Sequence, residues 1–142
     1  MILIDTNVVI DARDASQSNH AWAVGLIEQA AAGEGGVINA VTLAELCAGS
    51  PRPSDIEPEI RKLELEILDL PAATATVCGK AYRHYVMARR ASGGGHAPKI
   101  PLPDFFIGAH AKIMGWKLAT RDAERIARYF PQSRPRDPEK VI

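Results

Sequence analysis

The chain has 142 residues, the length of one ordinary domain and enough to bury a core. Hydrophobic residues make up 46% and charged residues 24%, which argues against wholesale disorder and against a fibrous or low-complexity protein. The 17 basic and 17 acidic side chains cancel, so net charge alone names no polyanionic partner.

In chain order, Met1 to Ile4 is an apolar run that stops at Asp5-Thr6-Asn7, as a buried strand does where it reaches the surface. A polar stretch, Arg13 to Asn19, precedes Ala21, Val24, Leu26, Ile27 and Ala30–Ala31, which recur at helical spacing up to Gly33. Gly35-Gly36 turns the chain into a second short strand, Val37-Ile38-Asn39. Thr42 to Ala48 reads as a helix closed by Gly49 and the Pro51/Pro53 pair. Asp55 to Glu66 is expected to form another helix on Ile56, Ile60, Leu63 and Ile67, with a third strand over Ile67 to Leu70 ended by Pro71. Thr74 to Ala91 is a long helix, with Val77, Ala81, Tyr85 and Ala88 on one face; Gly93-Gly94-Gly95 breaks it and begins a loop to Pro101. Pro103-Asp104 opens a helix that runs to Gly115. Trp116 to Ala119 is a fourth strand cut off by Thr120-Arg121-Asp122, a last helix reaches about Tyr129, and Val141-Ile142 is placed as an edge strand.

Strands alternating with helices indicate the α/β class: a mostly parallel sheet of four to five strands covered by helices on both faces, a three-layer sandwich forming one domain over residues 1–142. The aspartate at position 5 comes too early for a signal peptide, and no apolar run approaches the roughly 18 residues of a membrane span. Cys47 and Cys78 lie far apart among apolar neighbours and read as small buried residues in a reducing cytoplasm.

Strand C-terminal ends and helix N-terminal ends share one edge of a parallel α/β sheet, and ligands bind there. Asp5 follows the first strand. Glu45 lies early in the helix after the second strand, Asp104 in the first turn of the helix leading to the fourth, and Asp122 just after that strand. Each has a local alternative: Asp104 and Asp122 as helix caps, Thr42-x-x-Glu45 as a capping box, Asp5 as an Asx-turn. Together they would repel one another unless cations neutralised them, and an all-oxygen set of donors suits Mg²⁺ or Mn²⁺. Divalent ions so held activate water and clamp a phosphodiester, with no side-chain nucleophile needed. The Thr6 hydroxyl, the Asn7 amide and Thr120 are candidates to orient the acids. Setting the four acids aside leaves 17 bases against 13 acids, a balance that tolerates a polyanion.

The segments ILIDTNVVID, VTLAEL, LPDFFIGAHAKIMGWKLATRD and the ending RYFP, in this order, resemble the PIN-domain ribonucleases, and within them the VapC-type toxins of bacterial toxin–antitoxin pairs. The likeness runs from residue 1 to about 131. It implies that the family's acidic quartet falls on Asp5, Glu45, Asp104 and Asp122 and its supporting hydroxyl on Thr120. It also implies a Mg²⁺- or Mn²⁺-dependent endoribonuclease that blocks translation by cutting tRNA or rRNA, a cognate antitoxin that fills the active-site groove, and a homodimer. The glycine-rich segment from Gly93 to Pro101 departs from the family pattern and is read either as shaping the substrate entrance or as a tolerated insertion.

Arg83, Arg89, Arg90, Arg121, His96 and Lys99 are candidate phosphate contacts. The four histidines show no zinc-type pairing, and His110 reads as a core residue; Trp22 and Trp116 read as core or dimer contacts. A haloacid-dehalogenase-type phosphatase would need an acid two residues after Asp5, where Asn7 stands. The competing reading is an inactive PIN-like module that only binds RNA or protein.

Overall fold

The computed structural model describes residues 1–93 and 100–131 together with the backbone of 135–136. Its sheet is built from β1 (Ile2–Ile4), β2 (Gly36–Asn39), β3 (Leu65–Leu68), β4 (Lys117–Ala119) and β5 (Pro135–Arg136), in the order β3-β2-β1-β4-β5. Every neighbouring pair is parallel. The helices are α1 (Thr6–Arg13), α2 (His20–Ala32), α3 (Ala40–Ala48), α4 (Ile56–Lys62), α5 (Ala73–Ala91), α6 (Leu102–Met114) and α7 (Ala123–Tyr129).

Alternation along the strands sorts the core into two clusters. Ile2, Ile4 and Ile38 face one side, where α1, α2 and α4 supply Val8, Val9, Leu26, Ile27, Ile56 and Ile60. Leu3, Val37 and Leu118 face the other, against Cys78 and Tyr85 of α5, Phe105 and Ile107 of α6, and Ile126 of α7. A sheet buried on both faces explains why β1 reads as an uninterrupted apolar run rather than an alternating one. The three-layer α/β sandwich expected from the sequence is the one observed.

Two local expectations are corrected, and a third lies outside the described residues. Residues 6–13, left without an assignment beyond a turn at Asp5-Thr6-Asn7, form α1, with Asp5 as its N-cap. The strand expected over Ile67 to Leu70 is β3 at Leu65–Leu68, and α4 ends at Lys62 instead of continuing to Glu66. Glu64, at φ 59°, makes the sharp reversal between them in the left-handed region that glycine usually fills. The edge strand pairs Pro135 with Leu118 and Arg136 with Ala119, whereas Val141-Ile142 lies outside the described residues. A proline is compatible with an edge because only one side of that strand must donate to the ladder.

Gly108 on α6 has a packing reason: a Cβ there would overlap the ring of Phe130, which is buried against the helix. Cys78 is buried and Cys47 only partly so, at the margin of the first cluster, and both are free thiols. No helix among the described residues is long and apolar enough to cross a membrane.

Candidate active site

The acids arrive at one edge through four separate elements. Asp5 ends β1, and its backbone N–H still donates to Ala119 of β4 at 2.9 Å, which fixes it where β1 and β4 finish. Its Oδ1 accepts from the Thr6 N–H at 2.7 Å, and its Oδ2 accepts from the Thr120 hydroxyl at 2.8 Å. The Thr120 oxygen in turn accepts from the Asp122 N–H at 3.0 Å, so one hydroxyl links the first and last acids.

Glu45 is freed from its capping-box reading. The N-cap of α3 is Asn39, whose Oδ1 accepts from the Val41 and Thr42 N–H groups at 3.0 and 3.1 Å. Glu45 therefore lies a turn further into α3, and its Oε1 accepts from the Thr6 hydroxyl at 2.8 Å. The Asn39 side chain is fully buried, and its Nδ2 donates to His110 Nδ1 at 3.2 Å. That nitrogen must be the unprotonated one, and burial lowers the His110 pKa, which favours the neutral ring. The bond ties the start of α3, which carries Glu45, to α6, which carries Asp104.

Asp104 sits in the first turn of α6 and Asp122 is the N-cap of α7, but the Asp122 side chain makes no capping hydrogen bond. Both carboxylates accept from Arg125 Nη2, Asp104 at 3.3 Å. Arg125 was not among the residues singled out in the sequence. The signal available was its place three residues after Asp122, one helical turn on the same face.

The electrostatics join the four into one field. The Asp5 pKa is pushed up to about 6, first by burial and further by the charges of Asp104 and Glu45, against the opposing hydrogen bonds from Thr120 and Thr6. The Asp104 pKa is also raised by burial and by Glu45 and Asp122, with Arg125 pulling it down. Among the described residues no three His, Cys, Asp or Glu side chains form a ready-made cage. The cation beside these acids is Arg125.

An all-oxygen set of mutually repelling carboxylates, one of them largely desolvated, has the chemistry of a seat for a hard divalent cation. Asp5 and Asp104 are the most buried candidates to hold one, with Glu45 and Asp122 alongside. Asn7 is half-buried on α1 and enters none of the hydrogen bonds that orient the acids.

Of the candidate phosphate contacts, Arg83 and Arg90 are exposed on α5, and Arg89 donates to the Tyr85 hydroxyl at 3.3 Å. Arg121 is taken up structurally: its Nε lies 3.3 Å from Oδ2 of Asp11, which is completely buried. His96 and Lys99 fall outside the described residues, as does the loop over 94–99. His110 is a core residue beside Trp116, ring centroids 5.5 Å apart.

Comparison with known proteins bears on the fold. The fold superposes on VapBC2 from Rickettsia felis bound to a promoter DNA fragment, with a TM-score of 0.65 and 21% identity over 96% of this chain and 98% of that one. FitAcB from Neisseria gonorrhoeae gives a TM-score of 0.65 and 22% identity, covering 99% of this chain and all of the other. VapC20 from Mycobacterium tuberculosis, a sarcin-ricin loop cleaving toxin, gives 0.53 and 13% identity over 81% of this chain and 84% of that one. A search of curated proteins finds no match. The family model of the PIN domain matches residues 2–129, a span that includes all four acids and both threonines, and the chain belongs to the PIN domain family.

Proposed function

We propose that this protein is a Mg²⁺- or Mn²⁺-dependent endoribonuclease acting as the toxin of a toxin–antitoxin pair. The observation that carries the reading is the gathering of Asp5, Glu45, Asp104 and Asp122 from four elements at one sheet edge, cross-linked by Thr6, Thr120 and Arg125. Asp5 and Asp104 would hold the metal, with Glu45 and Asp122 completing the set for one ion or two. Such an ion supplies activation of water and neutralisation of the charge that builds on a phosphodiester.

The chain's own groups prepare that site. The Thr120 hydroxyl and the Thr6 N–H hold the Asp5 carboxylate in one orientation and oppose its protonation. The Thr6 hydroxyl aims Glu45, and Asn39 with His110 fixes the spacing of α3 and α6. Desolvation of Asp5 strengthens its interaction with any cation by lowering the local dielectric. The substrate proposed is tRNA or rRNA.

The partner proposed is a small cognate antitoxin covering the acid groove, with the toxin as a homodimer. Support comes from the similarity to VapBC2 and FitAcB, which are toxin–antitoxin complexes.

The test is RNA cleavage by purified protein with Mg²⁺ or Mn²⁺, wild type against Asp5→Asn. Cleavage by the wild type alone, abolished by EDTA, supports the reading; cleavage that survives both EDTA and the substitution refutes the metal mechanism. No cleavage of any RNA leaves a binding module as the function. Unopposed expression should arrest growth of the native host and Asp104→Ala should relieve the arrest; harmless wild-type expression removes the toxin assignment even where nuclease activity remains.

A further inference from the structure

Arg125 has no part in the mechanism above, yet it is the charged side chain that bridges the carboxylates of Asp104 and Asp122. One nitrogen, Nη2, donates to Oδ2 of both Asp104 and Asp122, while Nε of the same group is buried without a hydrogen-bond partner. A guanidinium recognises a single carboxylate best through two parallel N–H groups. Here one nitrogen is shared between carboxylates from two helices, and a second donor is left unsatisfied. The geometry is that of a positive charge parked between two acids, not of a structural fork.

The contact of Arg125 with Asp122 is open to solvent: its side chain keeps 32% of its exposure and that of Asp122 46%. The pair formed by Arg121 and Asp11 differs, because the Asp11 carboxylate is wholly enclosed. Arg125 and Asp104 line a small cavity together with Ile100, Phe105, Ile126 and Tyr129.

A divalent ion seated on Asp104 and Asp122 would need the same carboxylate oxygens and would repel the guanidinium. Two cations cannot share that position at short range. We propose that Arg125 is an internal counter-cation that competes with the divalent metal for Asp104 and Asp122, so that loading the site displaces its guanidinium. The inference rests on the metal-dependent reading above. Arg125 keeps the empty cluster from repelling itself apart and holds metal affinity below what four free carboxylates would give.

The experiment is calorimetric titration of the metal-free full chain with Mn²⁺ alone and with Mg²⁺ alone, alongside thermal melts with and without metal. Arg125→Gln should bind either ion roughly three- to tenfold more tightly than wild type, as expected for removal of a partly exposed charged competitor. Its metal-free Tm should fall and its metal-induced rise in Tm should exceed that of wild type. Arg128→Gln, an exposed arginine on the same helix, should match wild type in all three readings.

An independent reading needs no loss of charge. In ¹⁵N-labelled wild type, the Arg125 Nε–H resonance, assigned by its disappearance in Arg125→Lys, should move with Mg²⁺ at the midpoint of binding. Unchanged or weaker metal binding in Arg125→Gln overturns the proposal, as does an Arg125 resonance that stays fixed while Mg²⁺ binds. Metal binding absent from wild type and variants alike overturns the metal reading itself, and this inference with it.

Discussion

Asp5 and Glu45 are oriented by neutral groups, the Thr120 and Thr6 hydroxyls, whereas Asp104 and Asp122 share the charge of Arg125. A hydroxyl turns a carboxylate to face one way without cancelling its charge, so burial first and the neighbouring charges second still push the Asp5 pKa up to about 6. A guanidinium cancels charge but occupies the oxygens a metal would use. One half of the cluster is therefore oriented without being neutralised, and the other is partly neutralised by Arg125, although the Asp104 pKa stays raised. A metal would relieve the first half and have to open the second.

The largest expected effect comes from removing a carboxylate. Asp5→Asn and Asp104→Ala should each reduce Mg²⁺-dependent RNA cleavage by about a hundredfold or more, because each deletes a direct ligand of the proposed ion. Near-normal cleavage rates in both variants would sink the assignment of these two acids.

Next is the contrast between the two arginines. Arg121→Ala leaves the buried Asp11 carboxylate without its cation and should lower unfolding free energy by about 2–4 kcal/mol. Denaturant melts should show Arg125→Gln costing clearly less, since its partners remain partly exposed. Equal costs for the two arginines would erase the distinction between a structural and a displaceable cation.

A smaller change is expected from the hydroxyls. Thr6→Val and Thr120→Val should weaken Mn²⁺ binding by about ten- to a hundredfold with little loss of fold. Thr120→Val should be the worse of the two, because Thr120 also receives the Asp122 N–H. Calorimetry showing wild-type affinity in both would mean that orientation of Asp5 and Glu45 does not matter to the ion.

The last effect is one of pH, measured in EDTA. Folding raises the Asp5 pKa from 3.8 to about 6 and so favours the protonated carboxyl. The stability this contributes is fully present below about 3.8 and is lost as the pH rises through about 6. Above that window the metal-free wild type should be less stable than Asp5→Asn by up to about 3 kcal/mol, and near pH 4 the two should converge. A gap in Tm that does not change between pH 4 and pH 7.5 would show that Asp5 titrates as an ordinary carboxylate.

Much of this architecture was legible in the chain, for identifiable reasons. β1, β2 and β4 are short apolar runs bounded by glycine or by polar turn residues, and α2, α5 and α6 carry their periodicity openly. The placement of the acids followed from topology, since every residue just past a strand of a parallel sheet falls on the same edge. What stayed hidden was α1. Its Val8-Val9-Ile10 run has the β-branched look of a strand, and short apolar runs do not distinguish the two; the N-cap at Asp5 was read as a turn. The α4–β3 boundary was unreadable because Glu64 makes a left-handed turn where no glycine announces one.

The amino-acid sequence by itself determined the α/β class and the edge to which the four carboxylates must come, because burial pattern and strand direction are properties of local runs. Only the tertiary structure decided how those carboxylates are held. That Glu45 answers to Thr6 and not to a capping box, that Arg121 serves Asp11, and that Arg125 reaches Asp104 are contacts between elements far apart in the chain. Side-chain partners of that kind depend on how helices pack against a common sheet, and no local spacing encodes them.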